Sequence, residues 1–253
     1  MSYGKFAYLY DQLMKDVPYD KWAELVLEKA KKYEVSGKKL LDLACGTAEL
    51  SVKLSEIGFQ VTGVDISEEM LTVAKAKANV NENGLAIEFY LQNMAELDGL
   101  GKFDIIGIFC DSINYLQEEK EVVATFQRVY EHLSNNGLFI FDVHSLHKIR
   151  EIFMDQTFAV NDDEISYIWH CFEGEYPFSV EHDLSFFVLD NETGMYARYD
   201  ELHYQRTYPI EVYENWLQET GFELLEVSAD FENDPPQDQS ERIFFICRKI
   251  LRN

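Results

Sequence analysis

The sequence predicts an α/β fold: a doubly wound, seven-stranded, mostly parallel sheet with an antiparallel last strand, carrying a small inserted antiparallel β domain. Three observations point there. Short apolar runs alternate with amphipathic helical stretches from Lys39 to Val143. Between about Arg150 and Tyr208 the helical period disappears, and apolar residues alternate singly with polar ones. After Pro209 the first pattern returns and ends as helix, strand, long polar loop, strand. The chain therefore divides into a core, 1–149 and 209–253, and an insert, 150–208. Its 253 residues suit one large domain with such an addition.

Taken in order, Trp22, Leu25, Val26, Ala30 and Tyr33 line one face of a helix that begins near Pro18 and ends before Gly37. Lys39 to Leu43 is short and apolar, as expected of a buried strand. A helix follows from Thr47 to Ile57, stopped by Gly58, then a strand from Gln60 to Val64. Ser67 caps a helix running from Glu68 to about Val80, which the Asn83–Gly84 pair breaks. Ala86–Tyr90 and Phe103–Phe109 are strands, Gln117–Leu133 a helix ended by Asn135–Gly137, and Leu138–Val143 a fifth strand. Val212, Trp216 and Leu217 mark the last helix, ended by Gly221. Phe222–Val227 and Ile243–Cys247 are the final strands, and the loop between them predicts a hairpin rather than a crossover.

In the insert, Ile165, Tyr167, Trp169 and Cys171 alternate with polar positions, as do Val180, Leu184, Phe186 and Val188. Three or four antiparallel strands fit this pattern. The segment holds 13 acids, three arginines and no lysine, a net charge of about −10; most of its aromatic residues are expected to fill the core of a small sheet, and charge and rings together could also hold a cationic or aromatic ligand.

Composition excludes several functions. Forty-seven per cent hydrophobic residues, with 18 Phe, 15 Tyr and 3 Trp, provide for a packed core. No apolar run approaches the roughly 18 residues of a membrane span, and MSYGKFAYLYDQ lacks the marks of a secretory signal. A net charge of −24 opposes binding to nucleic acid or anionic membranes. Cys45, Cys110, Cys171 and Cys247 show neither metal-ligand nor disulfide spacing, as expected of reduced thiols in a cytoplasmic protein with no bound metal. The expected partner is a small molecule, and the chain itself a monomer or homodimer.

The chemistry concentrates in LDLACGTAELS, Leu41 to Ser51. A buried strand ends at Asp42, small residues Ala44, Cys45, Gly46, Thr47 and Ala48 turn the chain, and a helix N-terminus presents free N–H groups to a polar ligand end. In open α/β sheets ligands lie beyond the carboxyl ends of the strands. Asp65, at the end of the second strand in VTGVDIS, is placed to accept ribose hydroxyls. A dinucleotide needs two close approaches, GxGxxG; only Gly46 is present, and Asp42 would repel a pyrophosphate while suiting an amino group or a sulfonium.

With those residues the chain resembles the class I S-adenosylmethionine-dependent methyltransferases, bacterial small-molecule types with an antiparallel β cap among them. LDLACGTAELS is similar to the family's first motif, GVDIS to its second-strand acid, FDIIGIFCDSINYL to its fourth-strand motif and GLFIFDVHS to its fifth strand. GFELLEVSADF and RIFFICRK resemble its closing antiparallel pair. The resemblance covers nearly everything outside 150–208 and implies a Rossmann-like sheet with S-adenosylmethionine as cofactor.

By resemblance, Asp42 and the backbone of Ala44, Cys45 and Gly46 hold the methionine end, with Thr47 and Ala48 near it. Asp65 takes the ribose, and Ile66 and Met70 flank the adenine. Asn93-Met94 stands where the family often has an acid and an apolar residue reading the adenine amine. Ala48 replaces a frequent glycine, which a helix start should tolerate. Cys110, Asp111, Ser112, Asn114 and Tyr115 follow the fourth strand, where methyl group and acceptor meet; the Asp111–Asn114 run lacks the Asn/Asp-Pro-Pro-aromatic pattern of nucleobase methylation. His144, past the fifth strand, is the candidate general base. Tyr3, Phe6, Tyr8, Tyr10 and Asp11 look like the segment that folds over the cofactor, and Tyr10 and Trp22 are the cofactor contacts expected from this end. His170, His182 and His203 show no partner pattern and are expected at the surface or in the cap. The implied activity is methyl transfer to a nitrogen or oxygen of a small molecule. A non-catalytic adenosyl-binding protein acting through partners, or an NAD-dependent oxidoreductase, would share part of the pattern.

Overall fold

The computed structural model describes residues 10, 11, 13–80 and 86–250. The expected roles of Tyr3, Phe6 and Tyr8 and the Asn83–Gly84 break lie outside the described residues. The core elements are α1 (Tyr19–Lys32), β1 (Lys39–Leu43), α2 (Glu49–Glu56), β2 (Gln60–Asp65), α3 (Glu68–Val80), β3 (Glu88–Leu91), β4 (Phe103–Ile108), α4 (Glu119–His132) and β5 (Leu133–His144). A second set, β6 (Thr157–Val160), β7 (Ile165–Glu173), β8 (Ser179–Asp190) and β9 (Met195–Arg206), precedes α5 (Ile210–Thr220), β10 (Phe222–Ala229) and β11 (Arg242–Lys249).

Seven strands form one sheet in the order β10-β11-β5-β4-β1-β2-β3, and β6-β7-β8-β9 form a separate four-stranded sheet. In the large sheet β11 runs antiparallel to both β5 and β10, and the other pairings are parallel. Strand order reverses between β1 and β4, and the loops leaving their carboxyl ends face one crevice.

Period-two alternation shows why these strands are apolar throughout. Leu41, Leu43, Ile106, Phe139, Phe141 and Phe245 bury themselves against α4 and α5, while Leu40, Ile105, Leu138, Ile140 and Phe244 face α1 and α2. Phe141 and Phe245 stack at 4.7 Å between centroids. Each such ring contributes about 1.5–3 kcal/mol by leaving water.

Two of the boundaries that differ from the sequence reading have a cause visible in the backbone. The helix expected at Thr47 begins at Glu49, because Ala48 sits in the left-handed region at φ 64°. Strand β5 begins at Leu133 rather than Leu138, since the backbone around Asn136 (φ 59°) kinks within the strand instead of ending the helix there.

The small sheet is stitched to the core at its base. Asn114 Nδ2 donates to the Arg206 carbonyl (2.8 Å), its Oδ1 accepts from the His144 N–H (2.9 Å), and Thr207 Oγ1 donates to the His144 carbonyl (2.6 Å).

Candidate active site

The loop after β1 is the first part of the site. Ala44, Gly46 and Ala48 all take positive φ, at 66°, 55° and 64°. Alanine pays roughly 1–2 kcal/mol for that conformation, so Ala48 is a strained substitute for glycine rather than a neutral one. Ala48, at the N-cap of α2, offers no side-chain cap, and among the described residues the first N–H groups of the helix face the loop without one. Asp42 lies beneath, fully buried, accepting a hydrogen bond from Ser51 Oγ. Burial, offset in part by Ser51, pushes its carboxyl up to about 7, and Asp65 adds to the rise.

Asp65 braces the same loop from β2: Oδ2 accepts from the Gly46 N–H (2.7 Å) and Oδ1 from the Ser67 N–H (2.9 Å). Burial raises its pKa, and these backbone donors oppose the rise. Ile66 beside it is 70% exposed, and Met70 is half-buried with its N–H on Ser67 Oγ. Asn93 caps the short turn Met94–Glu96, its Oδ1 accepting from the Ala95 N–H (2.9 Å), while Met94 packs on the main core.

The N-terminal segment clamps this loop from above. Thr47 Oγ1 donates to Asp11 (2.5 Å), and Lys77 pairs with Asp11 and Glu49 at 2.8 and 2.9 Å. Tyr10 and Tyr19 help enclose a pocket of about 50 Å³ against Asp42, Ala44, Cys45, Gly46 and Thr47.

The second part lies after β4. Cys110 and Asp111 are both left-handed, at φ 54° and 52°. Asp142, fully buried in β5, holds them there: its two oxygens accept the Cys110 and Asp111 N–H groups at 2.9 Å each, Trp22 Nε1 at 2.9 Å and a short bond from Arg242. Arg242 also bonds Asp111 Oδ1 (2.8 Å), and Asp111 Oδ2 receives Gln205 Nε2 (2.8 Å) and His144 Nε2 (3.2 Å). Burial would raise the Asp111 carboxyl, but His144 and Arg242 outweigh it and hold the group well below the usual carboxylate range.

Cys110, Asp111, His144 and Arg242 floor a cavity of about 350 Å³ roofed by the inserted sheet, with Tyr167, Trp169, His182, Phe186 and Gln205 in its wall. Tyr10, Cys110 and Ser112 line both this cavity and the pocket at the loop, so the two adjoin.

The comparisons agree with this geometry. A family model described as a methyltransferase domain matches residues 34–197. A protein of Geobacillus sp. (strain WCH70), provisionally named a methyltransferase, is 52% identical over 98% of this chain and 100% of its own length. The crystal structure of an S-adenosylmethionine-dependent methyltransferase from Clostridium acetobutylicum ATCC 824 superposes with a TM-score of 0.88 at 33% identity, covering 98% of this chain and 99% of that one. The chain belongs to the S-adenosylmethionine-dependent methyltransferases. The sheet order makes it a class I member, and membership answers the nicotinamide alternative that Asp65 alone left open. A glycine/sarcosine N-methyltransferase of Halorhodospira halochloris is a more distant relative, 28% identical over 77% of this chain and 69% of that protein.

The residues present fit the cofactor: a buried carboxylate for an ammonium, uncapped helix N–H groups for a carboxylate, and Asp65 within reach of the loop. In this methyltransferase Ala44, Cys45, Gly46, Thr47 and Tyr10 gather around the loop pocket with Asp42, and Cys110 joins them from β4. Trp22 stands apart from that group. Its ring is buried under the larger cavity, against Phe231 at 4.5 Å and beneath Arg242 at 5.0 Å.

His182 lies in the cap, one of the two places expected for it, and there it is 4% exposed, with burial pushing its pKa down to about 4. Sequence reasoning missed Asp142, Arg242 and Gln205. Asp142 carried a readable signal, an acid inside the apolar run FIFDV, which burial obliges to find partners. Among the described residues no cluster of His, Cys, Asp or Glu is arranged to hold a metal, and no helix is long and apolar enough to cross a membrane.

Proposed function

We propose that the enzyme methylates a nitrogen or oxygen of a small molecule held in the 350 Å³ cavity between the core and the inserted sheet. The observation that carries this reading is the shared border at Tyr10, Cys110 and Ser112, which joins the cofactor loop to a chamber of small-ligand size. Bound S-adenosylmethionine would supply an electrophilic methyl group, the acceptor's lone pair taking it as the sulfur leaves as a neutral thioether. The protein's task is alignment, which is worth roughly 7–11 kcal/mol.

Asp42 and the α2 N-terminus hold the methionine end, Asp65 the ribose, and Ile66, Met70, Asn93 and Met94 the adenine side. A carboxylate offers about four acceptor sites. Arg242, Gln205 and His144 fill three at Asp111, and the side chain is 17% exposed, so one site remains for the acceptor's N–H or O–H. Because ionised Asp111 only accepts, His144 Nε2 carries the hydrogen between them. His144 Nδ1 is buried without a hydrogen-bond partner among the described residues. His144 thus acts on the acceptor through Asp111 rather than as a directly contacting base. The rings of Tyr115, Tyr167, Trp169 and Phe186 suit a cationic or aromatic acceptor, in a cavity whose lining also takes Asp111, Lys148 and Arg242. The relative named for glycine and sarcosine supports a small amine among the candidates.

Calorimetry with S-adenosylhomocysteine, followed by a radiolabelled methyl-transfer screen over small amines and hydroxyl compounds, tests this reading. Binding that Asp65→Ala abolishes, with turnover on a small acceptor, supports it. Binding without turnover across the screen favours the non-catalytic alternative, and no binding at all refutes both.

A further inference from the structure

We propose that Gln205 and His182 of the inserted sheet are positioning residues that aim the Asp111 carboxylate at the acceptor. The proposal rests on the reading of Asp111 as the acceptor's contact.

Donor and acceptor logic fixes the direction of each link in the chain from Asp111 to Trp169. The Asp111 carboxylate accepts only, so the Gln205 group 2.8 Å from it is the NH2. Gln205 Oε1 then faces His182 Nε2 at 3.1 Å, which requires that nitrogen to carry its hydrogen. His182 Nδ1 is left with a lone pair, and Trp169 Nε1, a donor only, meets it at 3.0 Å. One protonation pattern satisfies the whole chain, with His182 neutral, and its burial favours the same state.

Strand register makes the relay possible. His182 lies opposite Cys171 on β7 and His203 on β9. Trp169 and Gln205 are each two residues from those partners, on the same face, so the three side chains cross β7, β8 and β9 on a diagonal. Phe153 wedges edge-on against both His144 (5.3 Å) and His182 (5.1 Å), fixing the spacing between the catalytic side and the relay. Gln205 and His182 are each 4% exposed.

Without the Gln205 donor, Asp111 is free to turn both oxygens toward Arg242 and away from His144 and the cavity. Without a donor at His182, the Gln205 amide is free to flip and present its oxygen to the carboxylate. Neither residue lines the loop pocket, so cofactor affinity should be separable from turnover.

The test uses the full chain saturated with S-adenosylhomocysteine for spectra and with S-adenosylmethionine for kinetics. Long-range proton–nitrogen spectra should show wild-type His182 neutral and protonated at Nε2. Gln205→Leu should move the His144 ring resonances while S-adenosylhomocysteine affinity stays within about twofold. With an acceptor from the screen, Gln205→Leu and His182→Leu should lower kcat about tenfold, as expected for losing a hydrogen bond to a charged group. His182→Gln, which keeps a donor toward Gln205, should recover most of the loss, with KM for S-adenosylmethionine unchanged throughout. Wild-type His182 protonated at Nδ1 or doubly protonated, or His144 resonances indifferent to Gln205→Leu, would overturn the proposal. So would equal kcat loss in His182→Gln and His182→Leu. Moved resonances with unchanged kcat would support the positioning and overturn the reading of Asp111 beneath it. If Gln205→Leu does not fold, the wild-type tautomer and the His182 pair still decide.

Discussion

The two sheets solve burial in different ways. Strands of the large sheet are covered on both faces by helices, so β4, β5 and β11 read as continuous apolar runs. The inserted sheet is one-sided. Its β9 alternates, with Tyr196, Leu202 and Tyr204 among its exposed residues, and the associated cluster is small, built on Ile149, Phe153, Cys171 and Val180. Polar bonds then take on work that apolar area does in the core: Asn114 to the Arg206 carbonyl, Gln205 to Asp111, and His182 to Gln205. The division carries over to function. The loop pocket draws its walls from the core, with no residue of 150–208, while the larger cavity takes Tyr167, Trp169, His182, Phe186 and Gln205 from the insert. On the function we propose, the core holds cofactor and the insert selects acceptor.

Removing the insert is the strongest way to break that contrast. Replacing 152–206 with a short Gly/Ser linker should leave a folded core that binds S-adenosylhomocysteine within about threefold of the full chain and transfers no methyl group to the acceptor. The near-equal affinity is expected because no residue of 150–208 lines the loop pocket. Calorimetry and a turnover assay on the same preparation check it. Full turnover, or a folded core that has lost affinity, would show that the division is wrong.

The division was legible in the sequence to different depths. Helix periods, apolar runs and Gly58 or Gly221 as stops mark the core elements. The run from Asp42 to Thr47, followed by Asp65, marks the cofactor loop, because backbone conformation and a buried acid leave local traces in residue type. Asp142 left a trace as well, an acid in an apolar strand. Gln205 and His182 left none. Their meeting depends on the register of β8 against β9 and on how the small sheet docks over β4, and neither is encoded by neighbouring residues. Ala48 is a mild departure that a helix start should tolerate so far as sequence tells, since sequence gives no φ; its left-handed backbone places the start of α2 at Glu49.

A second test sharpens the core side. Asp42, with its folded carboxyl raised to about 7, binds a proton over a range where the unfolded chain, titrating near 4, has lost it. Stability of the ligand-free protein is therefore greatest below that window and falls as pH rises from about 4 to 7. Asp42→Asn should flatten this dependence and melt higher than wild type at pH 8, by of order 1–4 kcal/mol. The same variant should bind S-adenosylhomocysteine at least about tenfold more weakly at pH 8, having lost a charge-assisted contact to the ammonium. Wild-type affinity should itself weaken as pH drops below about 7. Thermal melts and calorimetry across pH 5–8 separate the two effects; a variant that melts lower at pH 8 with unchanged affinity would contradict the assignment.

The smallest expected effect is local strain. Ala48→Gly should relieve about 1–2 kcal/mol in the folded loop and return roughly 0.4–1 kcal/mol through a freer unfolded chain. A net gain near 0.5 kcal/mol in urea unfolding, with turnover unchanged, is expected. A loss of stability would mean the φ of 64° at this position carries no strain.

The most direct measurement is a crystal structure with S-adenosylhomocysteine. The account predicts the amino group on Asp42, the ribose on Asp65, and the sulfur at the Tyr10–Cys110–Ser112 border, facing the cavity that Asp111 floors. A sulfur turned away from that cavity, or a nucleoside seated anywhere but the loop after β1, would contradict it.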